Sequence, residues 1–357
     1  MKLVCSKSNL LTGLQVVSKA VPNKTTMSIL ECILIDSTGG EIKLTANDME
    51  LGIETIIEGD IVEKGIIALD AKIFLEIVRK LPDNDITITT DSDFKTTITC
   101  EKAKFNIIGK SGEDFSYLPM IERNESIVLS QYTLKEVIRQ TIFSISDNDN
   151  NKLMSGELFE INGEEMRVIS LDGHRISIRK IHLKNFYPSQ KVVVPGKTLN
   201  EISKILGGDA DKDVTIFFTD KHIVFEFENT TVVSRLIEGE YFKIDQMLSS
   251  DYETKVEINK KELLDCIDRA TLLIKEMCIR DSLCPDFRGL GIKSQETGRA
   301  FFYHFILQLI TGHKKFTACC GNGIIHCLGS KFYELHNFLR SAAGRGNHHR
   351  NRCFTVP

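Results

Sequence analysis

Apolar side chains recur at helical spacing in two short stretches, Leu10, Leu11, Leu14 and Val17, then Leu134, Val137 and Ile138 with Thr141 closing the stripe. Each stretch is followed by segments with a period of two. These are Ile42-Lys43-Leu44-Thr45 and Gly52-Ile53-Glu54-Thr55-Ile56-Ile57 in the first case, Met166-Arg167-Val168-Ile169 and Ile176-Ser177-Ile178-Arg179 in the second. Both pairs predict strands. Further helices are predicted over 71–81 and 197–206, stopped by Pro82 and by Gly207-Gly208. Alternation then returns, as in His222-Ile223-Val224-Phe225-Glu226-Phe227-Glu228. Two helices against runs of antiparallel strand make an α+β domain.

The two halves of this pattern are copies. Lys72, Glu76 and Ile77 return as Lys197, Glu201 and Ile202, all shifted by 125. Gly112 and Phe115 return as Gly239 and Phe242 at a shift of 127, and Leu10 and Leu14 as Leu134 and Ile138 at 124. The last two recur as Leu263 and Ile267, so a third copy begins. The boundaries drawn from this are 1–123, 124–250, a third unit opening over 251–276, and a segment 277–357 that does not continue the repeat.

A chain of 357 residues exceeds one compact core and suits two or three domains. With 42% hydrophobic and 26% charged residues, and no apolar run near the roughly 20 residues of a membrane helix, collagenous, disordered and helical membrane classes are excluded. The opening Met1-Lys2-Leu3-Val4-Cys5-Ser6 turns polar at once, so the expectation is a cytoplasmic protein with reduced thiols and no membrane partner. The net charge of −4 divides unevenly, −11 over residues 1–276 and +7 over 277–357. Charge is sorted within the first part too. Helices at 7–20, 71–81, 133–145 and 197–206 carry nine cations (Lys7, Lys19, Lys72, Arg79, Lys80, Lys135, Arg139, Lys197, Lys204) against Glu76, Glu136 and Glu201, a sum of +6. The remainder of residues 1–276 is then −17. Basic helices on an acidic body suit a polyanion held at one surface, although helix surfaces also carry Lys and Arg for solubility alone. With only Phe74 and Phe143 as aromatic residues on these helices, contact with phosphates rather than stacking on bases is expected.

Catalytic chemistry finds little support. Asp172-Gly173-His174-Arg175 places an acid near a histidine, but in a turn between strands and with no Ser or Cys partner at a known spacing. No phosphate-binding loop, dinucleotide fingerprint or His-Glu-x-x-His occurs, and Gly39-Gly40 reads as a turn. No cofactor is expected.

Four strings, Met1-Lys2-Leu3, Leu171-Asp172-Gly173-His174-Arg175-Ile176, Val193-Val194-Pro195-Gly196-Lys197 and Ser234-Arg235-Leu236-Ile237-Glu238-Gly239, resemble the bacterial DNA polymerase III beta subunit family, the DNA sliding clamps, over residues 1 to about 276. The resemblance implies a DNA clamp fold of three similar domains and a head-to-tail homodimer whose helices line a pore around double-stranded DNA. It implies no intrinsic catalysis, only membership of a DNA-directed DNA polymerase holoenzyme. Lys24, Asn148 and Lys197 are implied DNA contacts; Lys72, Lys135 and Arg139 are added by the helix charge. It further implies an apolar cleft for short linear peptides of the polymerase alpha subunit and the clamp loader. The near wall maps onto Met154, Leu171, Gly173, His174, Arg175, Ile176, Phe242, Gln246 and Met247. Phe242 stands where the family often has proline, and Gln246 where it often has arginine.

From residue 277 onward the cysteines crowd, six (Cys278, Cys284, Cys319, Cys320, Cys327, Cys353) against four before. The junction resembles translated adapter sequence and fits a changed reading frame; the rival is a basic Cys/His-rich appendage for metal or nucleic acid. Cys319, Cys320, His326 and Cys327 lack paired Cys-x-x-Cys spacing, so no metal site is assigned. If this segment is native, poor dimerisation is expected, and the alternative function is a monomeric DNA-binding or scaffold protein of two clamp-like domains.

Overall fold

The computed structural model describes residues 1–119, 121–123, 126–146, 151–173, 175–248, 259, 261 and 264–265, together with the strand backbone of 254–258, 315–320, 323–328 and 352–356. Asn148, His174, Leu263 and Ile267 lie outside the described residues, as do the side chains of Cys319, Cys320, His326 and Cys327.

The first repeat runs β1 (Lys2–Ser6), α1 (Lys7–Val17), β2 (Cys32–Asp36), β3 (Ile42–Asn47), β4 (Leu51–Ile57), β5 (Asp60–Glu63), β6 (Ile66–Asp70), α2 (Ala71–Lys80), β7 (Asp85–Thr90), β8 (Lys95–Cys100), β9 (Ala103–Ile108) and β10 (Lys110–Ser111). The second runs β11 (Ser126–Ser130), α3 (Gln131–Thr141), β12 (Gly156–Leu171), β13 (Arg175–Pro195), α4 (Gly196–Ile205), β14 (Asp213–Phe218), β15 (His222–Phe227) and β16 (Thr230–Arg235). After them come a single helical turn α5 (Ile244–Met247) and the strands β17 (Thr254–Ile258), β18 (Lys315–Cys320), β19 (Gly323–Leu328) and β20 (Arg352–Val356). Among the described residues every strand pairing is antiparallel.

Among the described residues, each of the four long helices starts directly from a strand end, and polar residues at three of these junctions explain why. The Ser6 hydroxyl accepts the Asn9 N–H at 3.2 Å, Asp70 accepts that of Ile73 at 2.9 Å, and Ser130 accepts that of Thr133 at 3.2 Å. The third helix therefore begins at Gln131, two residues before the start at 133 read from sequence. Leu10, Leu14 and Val17 are buried, as are Leu134, Val137, Ile138 and Thr141. Single 3₁₀ turns, Ser18–Ala20 and Ile142–Ser144, finish what the stripes suggest as longer α-helices.

Internal contacts divide the chain into two compact units, Met1–Lys135 with Lys197–Leu236, and Glu136–Gly196 with Ile237–Pro357. The first unit holds a five-stranded sheet ordered β5-β1-β7-β8-β9 and a nine-stranded sheet ordered β10-β6-β2-β3-β4-β16-β15-β14-β11. The large sheet joins strands of both repeats through β4 and β16, where Thr55 and Thr230 share a buried hydroxyl–hydroxyl hydrogen bond of 2.9 Å. Helix α1 packs on α2 and on β3 and β4. The second unit holds a six-stranded sheet ordered β12-β13-β19-β18-β20-β17, so strands from beyond residue 277 continue it.

The repeat spacing needs one adjustment. Phe115 is buried with Cys32, Leu34 and Ala68, whereas Phe242, its expected copy, is only partly buried. The buried ring at the matching place in the second repeat is Tyr241, which packs with Leu158 and Val193, the counterparts of Leu34 and Ala68. Burial sets the register here, and it places the correspondence one residue earlier.

Candidate nucleic-acid interface and peptide cleft

The cations on the helices are less free than their count suggests. The Lys7 ammonium donates to the Leu81 carbonyl at 2.6 Å, and that of Lys135 to the Leu206 carbonyl at 2.7 Å. In each repeat a lysine thus satisfies a carbonyl just past the C-terminus of the second helix. Arg139 forms a two-pronged pair with Glu136 at 2.9 and 2.7 Å, Arg79 and Lys80 lie on Glu76, and Lys204 on Glu201. Lys197, the first lysine of α4, pairs with Asp48 in the β3–β4 turn. Lys24, in the irregular segment after the first helix, and Lys72, in the first turn of α2, are exposed. Among the described residues no hydrogen bond or ion pair engages either one.

The β3–β4 turn has a twin. Asp48 accepts the N–H groups of Glu50 and Leu51 at 3.0 and 2.6 Å, with Met49 at φ +75°. Asp172, 124 residues on, accepts the Arg175 N–H at 3.1 Å, with Gly173 at φ +86°. Asp172 thus holds the backbone of Arg175, whose side chain lies on the same carboxylate at 2.9 Å with the Phe143 ring 5.8 Å away. Glycine suits the left-handed backbone that Met49 must adopt against its side chain.

Beside the second turn lies the apolar cluster of the second unit. Leu158, Ile169, Leu171, Ile176, Ile178, Val193, Tyr241 and Ile244 are buried in it, and Leu153, Met154, Ile237, Phe242 and Leu248 pack against it half-buried. Leu171 and Ile176 thus form a floor, Met154 and Phe242 a rim, while Gly173, Gln246 and Met247 are exposed. Arg167 ties the rim to the sheet, reaching Glu160 at 2.7 Å and Asp245 at 3.2 Å. In the first repeat the position of Ile176 is Gly52. A Cβ there would strike Leu118, and the Asn47 amide holds the Ser116 carbonyl at 3.2 Å. The first repeat's equivalent hollow is filled by its own chain.

One buried acid was not foreseen. Glu157 takes the place of Ile33, opposite Val194 as Ile33 is opposite Leu69. It is fully buried, and among the described residues neither carboxyl oxygen has a hydrogen-bond partner of good geometry. Burial pushes its pKa up to about 8, the neighbouring Thr141 hydroxyl offsetting only part of that. Tyr241 is likewise raised, first by burial and then by the Glu157 charge.

Two family models match in sequence order. Residues 1–119 match the N-terminal domain of the DNA polymerase III beta subunit, and residues 128–243 match its central domain. The beta sliding clamp of Staphylococcus aureus strain Mu50 is 34% identical over 309 residues, covering 84% of this chain and 82% of the relative. The chain belongs to the beta sliding clamp family. A crystal structure from Eubacterium rectale described as a DNA polymerase III beta subunit is 79% identical, with a TM-score of 0.76 over 77% of this chain and 76% of that one. The sliding clamp of Bacillus subtilis, at 25% identity, gives a TM-score of 0.76 over 100% of this chain and 98% of its own.

Of the residues singled out from sequence, Leu171 and Ile176 lie in this apolar cluster and Met154 and Phe242 pack against it, while Leu153, Ile237, Tyr241, Ile244 and Leu248, which complete it, were missed. It also missed Asp48. The 124-residue shift that relates Leu10 to Leu134 would have aligned Asp48 with Asp172 and drawn attention to both.

Proposed function

We propose that this sliding clamp closes as a head-to-tail homodimer around duplex DNA, with repeats at 1–123 and 124–250 and a third opening at 251. It binds DNA without reading sequence. Exposed Lys24 and Lys72 meet backbone phosphates directly, and Lys197, Lys135 and Arg139 do so by giving up the partners they hold in the free chain. Asn148 completes the set. The second unit's apolar cluster takes short linear peptides from the polymerase alpha subunit and the clamp loader, with Met154, Phe242 and Met247 as its accessible apolar surface. The ring thereby keeps a polymerase at high local concentration in the cytoplasm and performs no bond chemistry itself.

The observation that carries this reading is the doubled unit. Helices grow from strand ends in both repeats, and exposed Lys24 and Lys72, unpartnered among the described residues, lie beside and on the helices of the first repeat, although other exposed lysines, Lys95 and Lys104 among them, lie on strands. The free edge of the five-stranded sheet supports pairing with a second copy, since β9 exposes Phe105 and, at 84%, Ile108. The test is retention on nicked circular DNA after loading. Lys24→Glu combined with Lys197→Glu is expected to slow loading and shorten retention with the melting temperature unchanged; retention equal to wild type would remove the pore assignment.

A further inference from the structure

Lys197 does not stand free, and its partner is unusually well fixed. The Asp48 carboxylate uses one oxygen to accept the N–H groups of Glu50 and Leu51, so the turn itself orients it. Its other oxygen meets the Lys197 ammonium. The two ends differ in freedom, the Asp48 side chain being 6% exposed and that of Lys197 56% exposed. A rigid, nearly buried anion therefore faces a long, solvated, flexible cation. In the second repeat Asp172 lies on Arg175 of its own turn.

We infer that Asp48 is a positioning residue for DNA contact, an internal stand-in for a backbone phosphate that holds Lys197 extended between encounters. The inference rests on the reading of Lys197 as a phosphate contact. A free lysine gains the whole of a phosphate interaction, whereas Lys197 exchanges one anion for another and gains only the difference. The contact is then short-lived, which suits a ring that must stay on DNA without stopping on it. Lys24 and Lys72, unpartnered among the described residues, supply contacts without this exchange.

The test uses the full-length chain and a fluorescein-labelled duplex, with anisotropy followed across a salt series. The variants are Asp48→Asn, Lys197→Ala and the two combined. Asparagine keeps an oxygen for the Glu50 and Leu51 N–H groups and so keeps the turn. Asp48→Asn is expected to bind about two- to fivefold tighter and to steepen the log–log salt slope by about one, because Lys197 then engages phosphate fully. Lys197→Ala is expected to weaken binding, and the combined variant to match Lys197→Ala. If Lys197→Ala weakens binding while Asp48→Asn equals wild type, the positioning role is overturned and the Lys197 contact stands. If Lys197→Ala equals wild type, the contact itself is wrong and the inference falls with it. Tightening by Asp48→Asn that persists without Lys197 also overturns it, as a loss of bulk negative charge. Should Asp48→Asn melt early, Asp48→Ser, whose hydroxyl also supports such turns, carries the same expectations.

Discussion

Glu157 gives the most demanding test of the core. It sits where the first repeat has Ile33, fully enclosed, and burial raises its pKa from the usual 4.5 to about 8. A carboxyl with a raised folded-state pKa binds its proton more tightly folded than unfolded. Its cost is therefore absent below pH about 4.5, grows as pH rises, and levels off above about 8. At 1.36 kcal/mol per pH unit, the full cost is about 5 kcal/mol, of which about 3 kcal/mol is present at pH 7. Tyr241, the titratable neighbour, stays neutral throughout this window, so the slope belongs to the acid. Glu157→Ile restores the first repeat's residue, and Glu157→Gln removes the charge at nearly constant shape. Urea unfolding by circular dichroism at pH 5, 6, 7 and 8 would compare each variant with wild type, other titrations cancelling in the difference. The stability gap should widen steadily in favour of the variants as pH rises. A gap independent of pH would refute the reasoning, because it would mean the carboxyl reaches solvent or an undetected donor.

Two further substitutions probe the cleft and its closed counterpart. Phe242→Ala with Met247→Ala removes rim surface, Met247 being 50% exposed, and should weaken a labelled polymerase alpha-subunit peptide by at least about tenfold in fluorescence polarisation with melting unchanged; unaltered affinity would move the peptide site elsewhere. Gly52→Ala puts a Cβ against Leu118 and should cost about 1–3 kcal/mol in urea unfolding as that side chain is expelled; an unchanged midpoint would show that Leu118 does not fill the first repeat's hollow.

What the sequence determined by itself was everything with a period. Helical stripes at Leu10 to Val17 and Leu134 to Thr141, the period-two strands, and the 125-residue recurrence are written in neighbouring residues, because local backbone geometry and the need to hide one face impose them. The Asp172 turn was equally legible, since an aspartate holding nearby N–H groups is a local bond. Formal charge on each helix was legible too, but its availability was not. Lys135 meets Leu206, and Lys197 meets Asp48 from 149 residues away, and no pattern along the chain encodes such a meeting. The same holds for Tyr241 replacing Phe242 as the buried ring, and for the nine-stranded sheet that joins β4 to β16. Sequence fixes which faces must be covered and which groups carry charge. Only the folded chain decides what covers each face and which charge neutralises which, because those partners are distant in sequence and are chosen by shape.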